Sequence, residues 1–126
     1  MAKVAIMRCE KNMDQCPLTA CFACLAGRKE GFSMYDECTL SGVFTCHCPG
    51  DSTPELARIL QQKGAEVIHF CTCTFANKTD QGWKLEGGGF CPDIDSIIER
   101  VHNDTGIPCV KGTAHLPKGY TVQKWG

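Results

Sequence analysis

The chain has 126 residues, a formal net charge of −1, 43% hydrophobic residues and 11 cysteines. That length suits one domain with a real core, and the lack of a lysine- or arginine-rich stripe argues against nucleic acid or an anionic membrane surface as partner. No apolar run approaches the roughly 18 residues that span a bilayer, and the first residues enter strand-like sequence without a secretory apolar region, so a cytoplasmic chain is expected.

In chain order, Lys3 to Cys9 is a short apolar run that reads as a strand, followed by a polar loop through Cys16-Pro17. Leu18 to Arg28 carries apolar residues at helical spacing, with Gly31 near its expected stop. Leu40 to Cys46 is a second strand, and Cys48-Pro49-Gly50 is turn chemistry. Asp51 or Ser52 can cap a helix from Pro54 to about Lys63, with Gly64 past its end. Ala65 to Cys73 is a third strand. Residues 74–90 read as a long polar loop with consecutive glycines at Gly87–Gly89. Pro92 to Asn103 places Ile94, Ile97, Ile98 and Val101 on one helical face, and Gly106 ends it. Ile107 to Gly112 is a fourth strand.

Strand–helix alternation of this kind predicts a three-layer α/β domain of the flavodoxin or Rossmann type. Its sheet would have four or five strands, mostly parallel, with helices on both faces. Right-handed crossovers then point the strands the same way.

That topology gathers the cysteines. Cys9 ends strand one, Cys46 and Cys48 end strand two, and Cys71 and Cys73 end strand three. Cys16 and Cys91 close loops after strands, and His115 lies just beyond strand four. All share the carboxyl edge of a parallel sheet, where ligand sites of open α/β sheets form. Strand alternation points Cys46 with Cys48 and Cys71 with Cys73, so neighbouring second and third strands would set two thiol pairs side by side. An odd cysteine count in a reducing compartment favours metal or redox chemistry over disulfides. Clustered soft thiolates suit zinc, copper(I) or an iron–sulfur cluster. Buried cysteine also serves as a small hydrophobe, which accounts for some of the set.

Other motifs are weaker. Cys21-Phe-Ala-Cys24 on a helix can pack, chelate or act as a redox pair, and packing or an accessory role suits Cys24 best. A Cys-X5-Arg phosphatase loop fails, because Gln15 stands where arginine is needed. No phosphate-binding glycine fingerprint follows a strand, and no second Cys-X-X-Cys completes a zinc ribbon. His69, within strand three, reads as a satisfied core histidine, and His102 as a solvated one.

Taken together, Arg8-Cys9, Cys16-Pro17, Phe44-Thr45-Cys46-His47-Cys48-Pro49-Gly50, Gly64 to His69, Cys73, Cys91-Pro92 and Gly112-Thr113…His115 resemble the CGGC-domain proteins. These are small bacterial and archaeal proteins regarded as metal binders. The resemblance runs from about Lys3 to His115 and implies a domain over residues 1–115, with 116–126 as a C-terminal tail. It departs at two places. The family's Cys-Gly-Gly-Cys-Pro-Gly reads Thr45-Cys46-His47-Cys48-Pro49-Gly50 here, and the final Gly-Thr-His carries an inserted Ala114.

The expected ligand set is Cys9, Cys16, Cys46, Cys48, Cys73, Cys91 and His115, with Cys9, Cys16, Cys48, Cys73 and Cys91 in one pocket. Zinc is the expected metal, because a shell mixing sulfur with nitrogen from His115 or His47 is a zinc habit. An iron–sulfur cluster is the alternative cofactor. A thiolate enzyme or redox pair, such as Cys9 or Cys16 with Cys48, is the competing function, although no general base is evident beside a nucleophile.

Overall fold

Strand β1 (Ala2–Cys9) lies inside the main sheet of the computed structural model, which describes residues 2–79, 82–84 and 89–126. After it come α1 (Thr19–Gly27), β2 (Cys38–Cys46), α2 (Thr53–Gln62), β3 (Val67–Phe70), β4 (Asn77–Thr79), β5 (Gly82–Lys84), α3 (Ile94–Thr105), β6 (Cys109–Lys111) and β7 (Gln123–Trp125). The sheet order is β2-β1-β3-β6-β7, parallel through β6, with β7 added antiparallel at the edge.

Crossover handedness explains the layers. The connection from β1 to β2 steps one way across the sheet, while those from β2 to β3 and β3 to β6 step the other way. Right-handed crossovers must then place the first helix on one face and the next two on the opposite face. The cores agree. Val4, Ile6, Val67 and Val110 pack with Leu25 of α1 and with Phe32. Ala5, Met7, Ile68, Phe70 and Cys109 pack with Ala57 of α2 and with Ile94, Ile97, Ile98 and Val101 of α3. The expected three-layer, mostly parallel α/β fold is present.

Several boundaries differ from expectation. β3 stops at Phe70, and Thr72–Thr74 forms a 3-10 turn. Within the expected loop of residues 74–90, β4 and β5 pair antiparallel; Gly87 and Gly88 lie outside the described residues. β2 and β3 are not neighbours, because β1 lies between them. The segment after His115 contributes β7 to the sheet. Ser52 stands at the N-cap of α2 without a side-chain cap bond, while Asp51 pairs with Arg100 at 3.4 Å.

Helix α1 ends at Gly27, well before Gly31. Gly31 serves a packing role instead: its N–H donates to the Thr113 carbonyl at 2.8 Å, and a Cβ there would lie 2.6 Å from the Gly112 oxygen. The backbone crossing therefore requires glycine. His102 is also not simply solvated, since its Nδ1 donates to the Ile107 carbonyl at 2.8 Å and ties down the end of α3.

His69 is the satisfied core histidine the sequence predicts. It is 0% exposed; its Nδ1 donates to the Gly112 carbonyl at 3.0 Å, so its Nε2 accepts from the Tyr35 hydroxyl at 2.7 Å. Burial pushes His69 down to about 4 and Tyr35 up to about 12, so both stay neutral at ordinary pH. This chain of bonds fixes the carbonyl at the end of β6, immediately before Thr113.

Candidate thiol centres

All eleven cysteines are free thiols. The carboxyl edge does collect most of them, but it sorts them into two cavities on opposite faces of the sheet. Strand parity decides the sorting. Cys9 continues the Ala5, Met7 side of β1, and it pairs in register with Cys46, which continues the Phe44 side of β2. Met7 pairs with Phe70, so the next residue of the chain, Cys71, faces the other way, toward α1.

The first cavity, of about 210 Å³, lies on the α2 and α3 face and is lined by Cys9, Cys46, Cys48 and Cys91, with Lys11 beside them. Cys9 and Cys46 are buried at strand ends; Cys48 is exposed on the turn and Cys91 is half-buried ahead of α3. Gly50, with φ of +92°, lets the chain fold back over Cys46 toward Ile97. The Cys48–Pro49 bond is cis. The Thr53 hydroxyl donates to the Cys46 sulfur at 3.3 Å.

Burial raises Cys9, Cys46 and Cys91 above the ordinary thiol range. Negative charge on neighbouring sulfurs raises them further, since Cys91 feels Cys46, Cys9 and Cys48.

The second cavity, of about 380 Å³, lies on the α1 face. Its walls include Cys16, Cys21, Cys71, Cys73, Thr113 and His115. Cys71 is the most deeply buried of these sulfurs, and Cys21 and Cys73 are the neighbours that perturb it most. Cys21 is held down to about 6, first by the hydrogen bond from Cys71 and then by Thr113 and the Ala114 N–H, against the opposing effect of burial. Cys71 is correspondingly raised, and Cys73, bonded to Cys71 and Asn12, is lowered.

The single pocket expected for Cys9, Cys16, Cys48, Cys73 and Cys91 is thus two. Cys9, Cys46, Cys48 and Cys91 come together in one; Cys16, Cys73 and His115 line the other. Cys9 and Cys73 remain electrostatic neighbours between the two groups. His47 lines neither cavity, and its Nδ1 pairs with Glu10 at 2.6 Å. Sequence reasoning left Cys21 and Cys71 without roles and missed Lys11, Thr53 and Thr113. Among the described residues, no three His, Cys, Asp or Glu side chains form a ready-made metal cage. Also among the described residues, no helix is long and apolar enough to cross a membrane.

No curated protein and no solved structure matches the chain. The family model of the CGGC domain matches residues 3–114, nearly the whole sequence, and the protein belongs to the CGGC-domain family.

Proposed function

We propose that the protein binds a thiophilic metal ion, zinc first, in the cavity lined by Cys9, Cys46, Cys48 and Cys91. The observation that carries this reading is the meeting of those four cysteines, from three segments of the chain, in one cavity at the carboxyl edge of a parallel sheet. The donors fit in kind, because all four are sulfur and soft ligands select such metals. Burial and the neighbouring sulfurs oppose ionisation of Cys9, Cys46 and Cys91, so a cation that replaces the thiol protons relieves both effects. The Lys11 ammonium offsets part of the negative charge of a thiolate set.

A metal here would organise the ends of β1 and β2 with the approach to α3, and a structural, storage, delivery or sensing role follows more readily than a reaction. An iron–sulfur cluster is the second reading. It is favoured by the four cysteines of the lining, since His47 and His115 lie outside this cavity and supply no nitrogen to it. Cys16, Cys73 and His115 are left out of the proposed shell for the same reason.

Metal analysis of anaerobically purified protein tests the reading. Stoichiometric zinc is expected in the wild type and in Cys24→Ser, with loss in Cys48→Ser and Cys91→Ser. Equal zinc in all four proteins would overturn the site. Iron with acid-labile sulfide and a brown colour would replace zinc by the second reading.

A further inference from the structure

The second cavity holds a different arrangement of sulfur. Three of its cysteines, Cys21, Cys71 and Cys73, line it together, and Cys21 has a hydroxyl against its sulfur. The Thr113 hydroxyl lies 3.1 Å from the Cys21 sulfur. Its oxygen already accepts from the Thr72 N–H at 3.3 Å, so its own hydrogen is free to point at sulfur. The same two residues are tied a second time, since the Thr113 N–H donates to the Thr72 hydroxyl at 3.1 Å. Cys71 packs in the same cluster and lines the same cavity. Cys21 also sits in the first turn of α1, where the helix dipole favours negative charge on sulfur. One sulfur is thus prepared to carry charge, and a second lines the cavity with it.

Access sets the class of reactant. Cys21 is only 8% exposed, yet it lines a cavity of about 380 Å³ whose wall includes Leu18 and Ala76. A macromolecular disulfide cannot bring its sulfurs to Cys21, whereas a small one can enter.

We propose that this cavity is a thiol–disulfide exchange site for low-molecular-weight disulfides, with Cys21 as the attacking sulfur and Cys71 as the resolving one. The Cys21 thiolate attacks one sulfur of the small disulfide, forming a mixed disulfide and releasing the other half as thiolate. That thiolate takes the Cys71 proton and leaves as a thiol. The Cys71 thiolate then attacks the Cys21 sulfur, breaks the mixed disulfide and expels the second half as thiolate, which takes a proton from water. Protein dithiol is oxidised to a Cys21–Cys71 disulfide, and the small disulfide is reduced to two thiols.

The test mixes reduced full-length protein, as purified, with bis(2-hydroxyethyl) disulfide under anaerobic conditions and maps the cysteines by mass spectrometry. Wild type is expected to form a Cys21–Cys71 disulfide, and Cys71→Ser to trap the mixed disulfide on Cys21. Thr113→Val should slow reaction at Cys21 roughly tenfold, the worth of about one hydrogen bond, while leaving the rate at part-exposed Cys24 unchanged. A Cys71–Cys73 bond in place of Cys21–Cys71 in the wild type would overturn the assignment, as would a Cys21 that stays reduced while Cys16 and Cys24 are modified. The wild-type map decides even where Cys71→Ser folds poorly. Because zinc content does not enter this readout, failure here is separate from failure of the metal reading.

Discussion

Acidification should destabilise the protein through a single buried ring. His69 is 0% exposed and has its pKa lowered by burial from 6.5 to about 4. Above pH 6.5 the ring is neutral in both folded and unfolded chains, and the stability of the neutral arrangement is fully present. As pH falls, the unfolded chain takes up a proton that the folded one refuses, and stability drops until the folded ring also titrates near pH 4. The difference in pKa corresponds to about 3 kcal/mol, of which about 2 kcal/mol is lost by about pH 5. Urea unfolding at a series of pH values measures it, with His69→Gln as reference. Glutamine is neutral throughout and offers both a donor and an acceptor, so this variant should be less stable at neutral pH but lack the histidine's share of the acid slope. Parallel pH profiles for wild type and His69→Gln would refute the reasoning.

Gly31→Ala should lower stability by about 1–3 kcal/mol, the usual range for overpacking, because the new methyl group meets the backbone of Gly112 and Thr113; urea midpoints check this. Gly50→Ala combines a φ of +92° with a Cβ position 2.9 Å from Ile97 Cδ1 and 3.3 Å from the Cys46 sulfur. It should weaken zinc retention against a chelator more than it lowers the thermal midpoint, since the strain falls on the turn that carries Cys48.

The sheet and its layers were legible because each strand–helix alternation, with Gly64 and Gly106 as stops, carried its own signal. The convergence of cysteines on one edge followed from parallel topology alone. What sequence could not show was which face each sulfur would take. Val4 to Met7 and Val67 to Phe70 are buried on both sides, as central parallel strands are, so no polar alternation marks a face. Parity within a strand was readable; parity between β1 and β3 depends on the register that sets Met7 opposite Phe70. Cys73 was harder still, because the 3-10 turn after Phe70 ends the strand periodicity on which its direction was inferred. His115 fell outside the first cavity for a related reason: the chain leaving β6 turns onto the α1 face.

The antiparallel edge strand gives the second cavity an unusual mechanical property. The loop carrying Thr113 and His115 begins at β6 and ends at β7, which pair with each other, and the Tyr120 hydroxyl donates to the Lys111 carbonyl at 2.6 Å across its base. The loop is therefore cinched like a drawstring. Unzipping of this edge would open the cavity to a bulkier reagent, a local opening of the kind that hydrogen exchange detects. Labelling of Cys21 by a bulky maleimide and exchange of the β6–β7 amide protons should then be two clocks driven by one motion.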